Sequence, residues 1–257
     1  MSAAVSENGI GRLTINRPEK RNALTDEMWR AVPEAINWLV GQKRVRVIII
    51  RGAGGQDFSA GADIGEFATL RKDAATARAY EVANSAAFAS VRNCPVPVIA
   101  AIRGICFGGG FGLAAAADVR LADDTARFAI PAGRLGLAYP LDAVQDLVRA
   151  LGDQQARHAL FSAQEISASH ASACGCVLKL YRPEQLDAEV LALATAIAAA
   201  APLSVRASKA AISALHSTSP KDYDKAAALA ASTFDSQDYA EGRHAFMEKR
   251  EPAFEGK

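Results

Sequence analysis

The chain predicts an α/β domain followed by an all-helical C-terminal arm, and three observations predict it. Short runs rich in β-branched residues alternate with segments of helical periodicity through the first half of the sequence. Strand signals largely stop after Tyr139. Between an apolar run and an alanine-rich segment stands Gly108-Gly109-Gly110, a turn that leaves a strand and opens a helix.

Residues 10–15 and 45–51 are rich in β-branched residues and bounded by Gly or Pro, which predicts strands. Between them Leu24, Met28, Val32, Ile36 and Leu39 recur at helical spacing, with Thr25 placed to cap and Asp26 and Glu27 at the positive end of the dipole. Pro33 lies inside this pattern and is expected to kink or interrupt the helix. A second helical region is expected after Asp63, through Phe67, Leu70, Tyr80, Val82, Phe88 and Val91. Residues 96–102 read as a strand buried on both faces, 108–117 as a loop entering a helix, and 119–122 as a further strand. Segments 141–151 and 154–161 are expected to be helical, and 177–180 to form a last strand. Helices over 186–201, 205–215 and about 222–247 complete the chain. The division follows: residues 1–200 form the α/β body and 201–257 the helical arm.

Half of the 257 residues are hydrophobic, 22 % are charged and the formal net charge is +1, the balance of a globular domain with a real core. So small a charge supplies no field for nucleic acid, and no partner of that kind is expected. The first residues lack a basic segment leading into an apolar run, and the longest apolar stretches are too short or too alanine-rich to span a bilayer. No membrane association and a cytoplasmic location are the expectation. Cys174-Gly175-Cys176 has no second pair, and the four histidines are scattered, so reduced thiols and no metal site are expected.

The glycine turn offers free N–H groups and a positive dipole end to an anion or a developing oxyanion. It lacks the spacing of a dinucleotide fingerprint. A second loop of small residues, Ser59-Ala60-Gly61-Ala62-Asp63-Ile64, follows the 45–51 strand. These two loops, with Asn16-Arg17-Pro18-Glu19-Lys20-Arg21-Asn22-Ala23-Leu24 and the tail from Asp238 to Arg250, closely resemble the crotonase family of enoyl-CoA hydratases and isomerases, in order and over nearly the whole chain. The resemblance implies a β-β-α spiral with a helical trimerisation arm. It implies an acyl-CoA thioester as substrate, coenzyme A entering only as part of it, and a homotrimer or dimer of trimers. The thioester oxygen would be held by the backbone N–H groups of Ala62 and Gly109, which stabilise an enolate. The same resemblance places Arg21, Ala23, Ala60, Asp63, Ile64, Gly112 and Ala132 at the binding site, and Lys249 near the CoA phosphates.

The sequence departs from the family where its acids stand. Typical hydratases carry glutamates at the positions that match Gly112 and Ala132, and related isomerases carry an acid at the position of Pro140. A positioned acid or base contributes about 10²–10⁴ in rate, so the two-glutamate hydration mechanism is not expected. Gly112 and Ala132 are expected to vacate space for a bulkier acyl group or an external base. Asp142 and Tyr139 are the candidate substitute acids, against a helix-start role for Asp142 and simple packing for Tyr139. A decarboxylase, retro-aldol lyase or thioesterase on the same scaffold, or a non-catalytic acyl-CoA binder, stays open beside the enoyl-CoA hydratase-like reading.

Overall fold

The computed structural model describes all residues, 1–257. In chain order it contains β1 (Ser2–Val5), β2 (Ile10–Ile15), α1 (Asp26–Gly41), β3 (Val47–Gly52), α2 (Phe67–Leu70), α3 (Ala74–Arg92), β4 (Val98–Ile102) and β5 (Ile105–Phe107). There follow α4 (Gly109–Ala116), β6 (Val119–Asp123), β7 (Arg127–Ala129), α5 (Leu141–Leu151), α6 (Asp153–Ser162), β8 (Ile166–Ser167), α7 (Ala168–Ala173) and β9 (Lys179–Tyr181). The chain ends with α8 (Leu186–Ala199), α9 (Pro202–Ala214), α10 (Pro220–Ser232) and α11 (Gln237–Glu248).

The main sheet runs β1-β2-β3-β4-β6-β9, antiparallel only at β1-β2. Its inner strands are buried on both faces, which explains their unbroken apolar runs. Ile48 and Ile50 of β3 face the larger core, with Trp29 and Val32 of α1 and Phe88 of α3. Val47 and Ile49 face the opposite core, closed by Leu186, Val190, Ala194 and Ala198 of α8. A second sheet, β5-β7-β8, is continued by bridges from Cys106 to Ser59 and from Ala62 to Leu24. Helix α8 packs on the sheet, and the chain then turns by 107° into α9. No single helix is long and apolar enough to cross a membrane.

Three helical segments differ from the sequence expectation, each for a local reason. Helix α1 continues through Pro33, because the stripe Met28, Trp29, Val32, Ile36 and Leu39 is buried along its whole length. Such burial outweighs one missing backbone hydrogen bond. The expected single helix after Asp63 is broken before α3, where Asp73 accepts from the Ala75 and Thr76 amides in a capping box. The final segment is likewise two helices, with Ser236 capping α11 through the Tyr239 amide. Strands β1, β5, β7 and β8 were not expected; all but β1 are three residues or fewer, too short for a periodicity.

Candidate active site

The Asn22 side chain is fully buried and ties three segments together. Its amide donates to the carbonyls of Ala53 (3.0 Å) and Asp57 (2.7 Å), and its oxygen accepts from the Arg17 amide (3.0 Å). This fixes the path of residues 21–24 beside the 59–63 loop. There the Ala60 amide donates to Arg21 O, Leu24 to Gly61 O and Asp63 to Leu24 O, all at 2.8–2.9 Å. Ser59 Oγ donates to Asn22 O at 2.8 Å and accepts from the Gly61 amide at 3.0 Å. In that ladder the Ala62 N–H alone has no acceptor on the chain. Gly61 has φ +92°, and a Cβ there would lie 2.7 Å from Phe107 O and 3.1 Å from Gly109 N, so only glycine lets the two loops meet.

The second loop is held as firmly. Gly108, at φ 50° and ψ −124°, precedes α4, and its amide donates to Ala129 O at 2.8 Å. Gly109 is the first residue of α4, where an N–H lacks an intrahelical partner, and it too donates to nothing on the chain. The Gly108 carbonyl accepts from the Gly112 amide (3.0 Å) and from the Tyr139 hydroxyl (2.8 Å). Tyr139 is therefore bonded to the far side of the same peptide unit that presents the Gly109 N–H. Burial pushes the Tyr139 phenol well above its ordinary pKa, so it stays a donor.

Both loops open on one cavity of about 260 Å³, lined on this side by Ala60, Ala62, Gly108, Gly109, Ala132 and Tyr139. Ile64 and Pro140 line it as well. The Trp29 indole forms another wall; a Cβ at Gly109 would lie 2.7 Å from it, so residue 109 admits no side chain without moving the ring. The indole Nε1 in turn donates to the buried Tyr80 hydroxyl at 3.1 Å.

The structure corrects the expectation of vacated space at Gly112. A Cβ at that position would lie 2.7 Å from both Phe88 Cζ and the Tyr139 hydroxyl oxygen, so protein already fills the place. The two rings stack at a centroid distance of 6.4 Å. Ala132 does line the cavity. Nor does the structure bring Asp142 there. It belongs to an ion cluster at the start of α5, 3.2 Å from Arg92, which also binds buried Asp146 at 2.6 Å. Asp63 stands behind the loop, accepting from Arg17 Nη1 at 2.9 Å and from the Gly65 amide at 3.0 Å. The Arg17 hydrogen bond holds its carboxyl below the usual range. Arg21 and Ala23 contribute backbone scaffolding, and Lys249, in the left-handed region at φ 55°, ends α11 as an exposed residue away from this cavity.

The sequence reading missed one wall entirely. Ala77, Glu81, Asn84 and Phe88 stand at helical spacing on one face of α3, and all four line the cavity beside Phe67 and Arg71. Glu81 is the only carboxylate in the lining. Polar residues interrupting an otherwise apolar helical face were the available signal.

Comparison with known proteins agrees with this architecture. Residues 5–257 match the family model described as enoyl-CoA hydratase/isomerase. The chain is 35 % identical over 252 residues to a crotonyl-CoA hydratase of Syntrophomonas wolfei, covering 96 % of this chain and 95 % of that protein. It is 32 % identical over 248 residues to a short-chain-enoyl-CoA hydratase of Clostridium acetobutylicum, covering 95 % and 93 %. The structure superposes on an enoyl-CoA hydratase/carnithine racemase from Magnetospirillum magneticum with TM-score 0.92 at 38 % identity, covering 98 % and 94 %. The fold is that of the crotonases, and the chain belongs to the enoyl-CoA hydratase/isomerase family.

Proposed function

We propose that this member of the enoyl-CoA hydratase/isomerase family processes a short-chain acyl-CoA thioester, holding the thioester oxygen between the N–H groups of Ala62 and Gly109 while the acyl group becomes an enolate. The observation that carries this reading is the pair of unpartnered amides on loops in contact, opening on one apolar cavity. In a dry site such donors favour the charged oxygen over the neutral carbonyl, and each contributes about 10²–10³ in rate. The start of α4 adds the positive end of its dipole. Tyr139 serves as a positioning residue: its bond to Gly108 O fixes the plane of the Gly108–Gly109 peptide and polarises it, which strengthens the N–H at the other end.

The chemistry does not run through a pair of glutamates in this reading. Glu81 is the one carboxylate in the cavity wall, and Tyr139 and Phe88 stand where a side chain on residue 112 would project. That single carboxylate favours a second reading, a decarboxylase, retro-aldol lyase or thioesterase working with fewer protein acids; decarboxylation in particular needs an oxyanion hole more than a base. Exposed Phe246, Met247, Leu215 and Ile212 on the arm support assembly as a homotrimer or dimer of trimers, with Lys249 meeting CoA phosphates across a subunit boundary.

The test is incubation of the purified protein with enoyl-, 3-hydroxyacyl-, malonyl-type and aromatic CoA thioesters, followed by chromatography with mass detection. A mass change of one water supports hydration. Loss of carbon dioxide or release of free CoA supports the second reading. Binding of every thioester with no turnover would leave an acyl-CoA-binding protein and defeat both enzyme readings.

A further inference from the structure

The α2–α3 wall contains two buried hydrogen-bond donors that the fold does not use. Arg71 follows α2 and lies between the Phe67 and Tyr80 rings, its guanidinium carbon 4.6 Å and 4.3 Å from their centroids. It forms no ion pair, and its one hydrogen bond runs from Nη2 to Asn84 Oδ1 at 3.3 Å. That bond settles the orientation of the Asn84 amide, whose Nδ2 then points elsewhere. Asn84 is only 6 % exposed. Both Asn84 Nδ2 and Arg71 Nε are buried without an acceptor, and both residues line the cavity that the Ala62 and Gly109 amides share.

Buried donors are ordinarily paired, and an orphan loses the full value of its hydration. Two orphaned donors on cavity-lining residues, one on a planar cation held against two rings, form a station for an oxygen acceptor once the side chains turn toward the cavity. An acyl chain made only of methylenes would leave both unmet and place hydrocarbon against a guanidinium. Glu81 lines the same wall and forms no ion pair, so the station can also receive a hydrogen from its ligand.

We infer that the substrate's acyl group carries a second oxygen function, a carboxylate or hydroxyl, which Arg71 and Asn84 bind while the thioester carbonyl occupies the main-chain donors. This rests on the thioester reading above. It narrows the substrate class from short acyl-CoAs in general to polar ones.

Calorimetric titration with three saturated five-carbon acyl-CoAs, ending in a methyl, a hydroxyl or a carboxylate, tests it without turnover. The wild-type protein is expected to bind one oxygen-bearing probe at least about tenfold more tightly than the methyl-ended one, the value of one good hydrogen bond to a charged group. Arg71→Met is expected to remove that preference by weakening the oxygen-bearing probe, with the methyl-ended probe bound no more weakly than by the wild type. Asn84→Leu, a smaller perturbation of the stacked cation, is expected to weaken it in the same direction. Preference for the carboxylate would identify the Arg71 charge as decisive, and preference for the hydroxyl would identify the Arg71–Glu81 pair; either sustains the inference. Equal binding of all three probes, or a preference that survives in both variants, overturns it alone. No binding of any probe overturns it together with the thioester reading.

Discussion

One wall of the cavity, built from the Ala60–Ala62 and Gly108–Gly109 loops, presents donors that belong to the main chain; the opposing chemistry, on α2 and α3, belongs to side chains. The main-chain donors are held by a mesh of backbone bonds at 2.8–3.0 Å and by glycines at which a Cβ would press on the facing loop or on the Trp29 ring. The side-chain donors are held by stacking and a single 3.3 Å bond. A scaffold can keep the first set while the second set changes freely, because substituting Arg71 or Asn84 disturbs no backbone path. The first set suits a step common to many reactions, and the second suits the choice of acyl group.

The largest effect should come from breaking the main-chain wall. Gly109→Pro removes one donor and is expected to lower turnover by about 10²–10³. Its Cβ also presses on Trp29, as would that of Gly109→Ala, which keeps the N–H. The ratio of the two variants' kcat values cancels that Cβ contact and reads what happens at the nitrogen, the lost donor together with the ring carbon that takes its place; a ratio near unity would remove Gly109 from the oxyanion hole.

Tyr139→Phe sharpens the comparison, since it asks whether a side chain tunes a main-chain donor. The ring, its stack on Phe88 and the Gly112 bond to Gly108 O all remain. Loss of one hydrogen bond is expected to reduce kcat by up to about tenfold with KM little changed. The carbonyl stretch of a bound unreactive thioester should move toward its free frequency. An unshifted stretch would leave Tyr139 a packing residue.

The difference between the walls also explains what could be read from sequence. Gly61, Gly108 and Gly109 are legible because close backbone approach admits one residue type, and the strands at 45–51 and 96–102 because burial on both faces demands continuous apolar runs. Arg71, Glu81 and Asn84 carried no such constraint. A polar residue on a helix reads as solvated until the packing of α3 against the loops turns that face inward. The filled space at Gly112 was illegible for a related reason: Phe88 and Tyr139 are 51 residues apart in sequence, and only the fold brings both rings against one glycine. Asp142 failed as a candidate because Arg92, distant in sequence, claims its carboxylate.

The smallest expected effect tests how independent the main-chain wall is of side chains. Asp63 braces it from behind, through Arg17 Nη1, which also donates to Ala23 O at 3.0 Å. Its folded pKa lies below 3.8, the ordinary value, so its ionised form is favoured by folding. That contribution is complete above the ordinary value and is lost as pH falls through the depressed one. A partly exposed pair of this kind contributes no more than about 1 kcal/mol. Asp63→Asn should therefore lower the melting temperature by no more than about 4 °C at pH 7, and by progressively less as the pH is taken below 3.8. A gap that stayed constant down to acid would mean that the ionised form of Asp63 contributes nothing to it. A closing gap, accompanied at pH 7 by a fall in kcat, would show that even the main-chain donors depend on one carboxylate for their alignment.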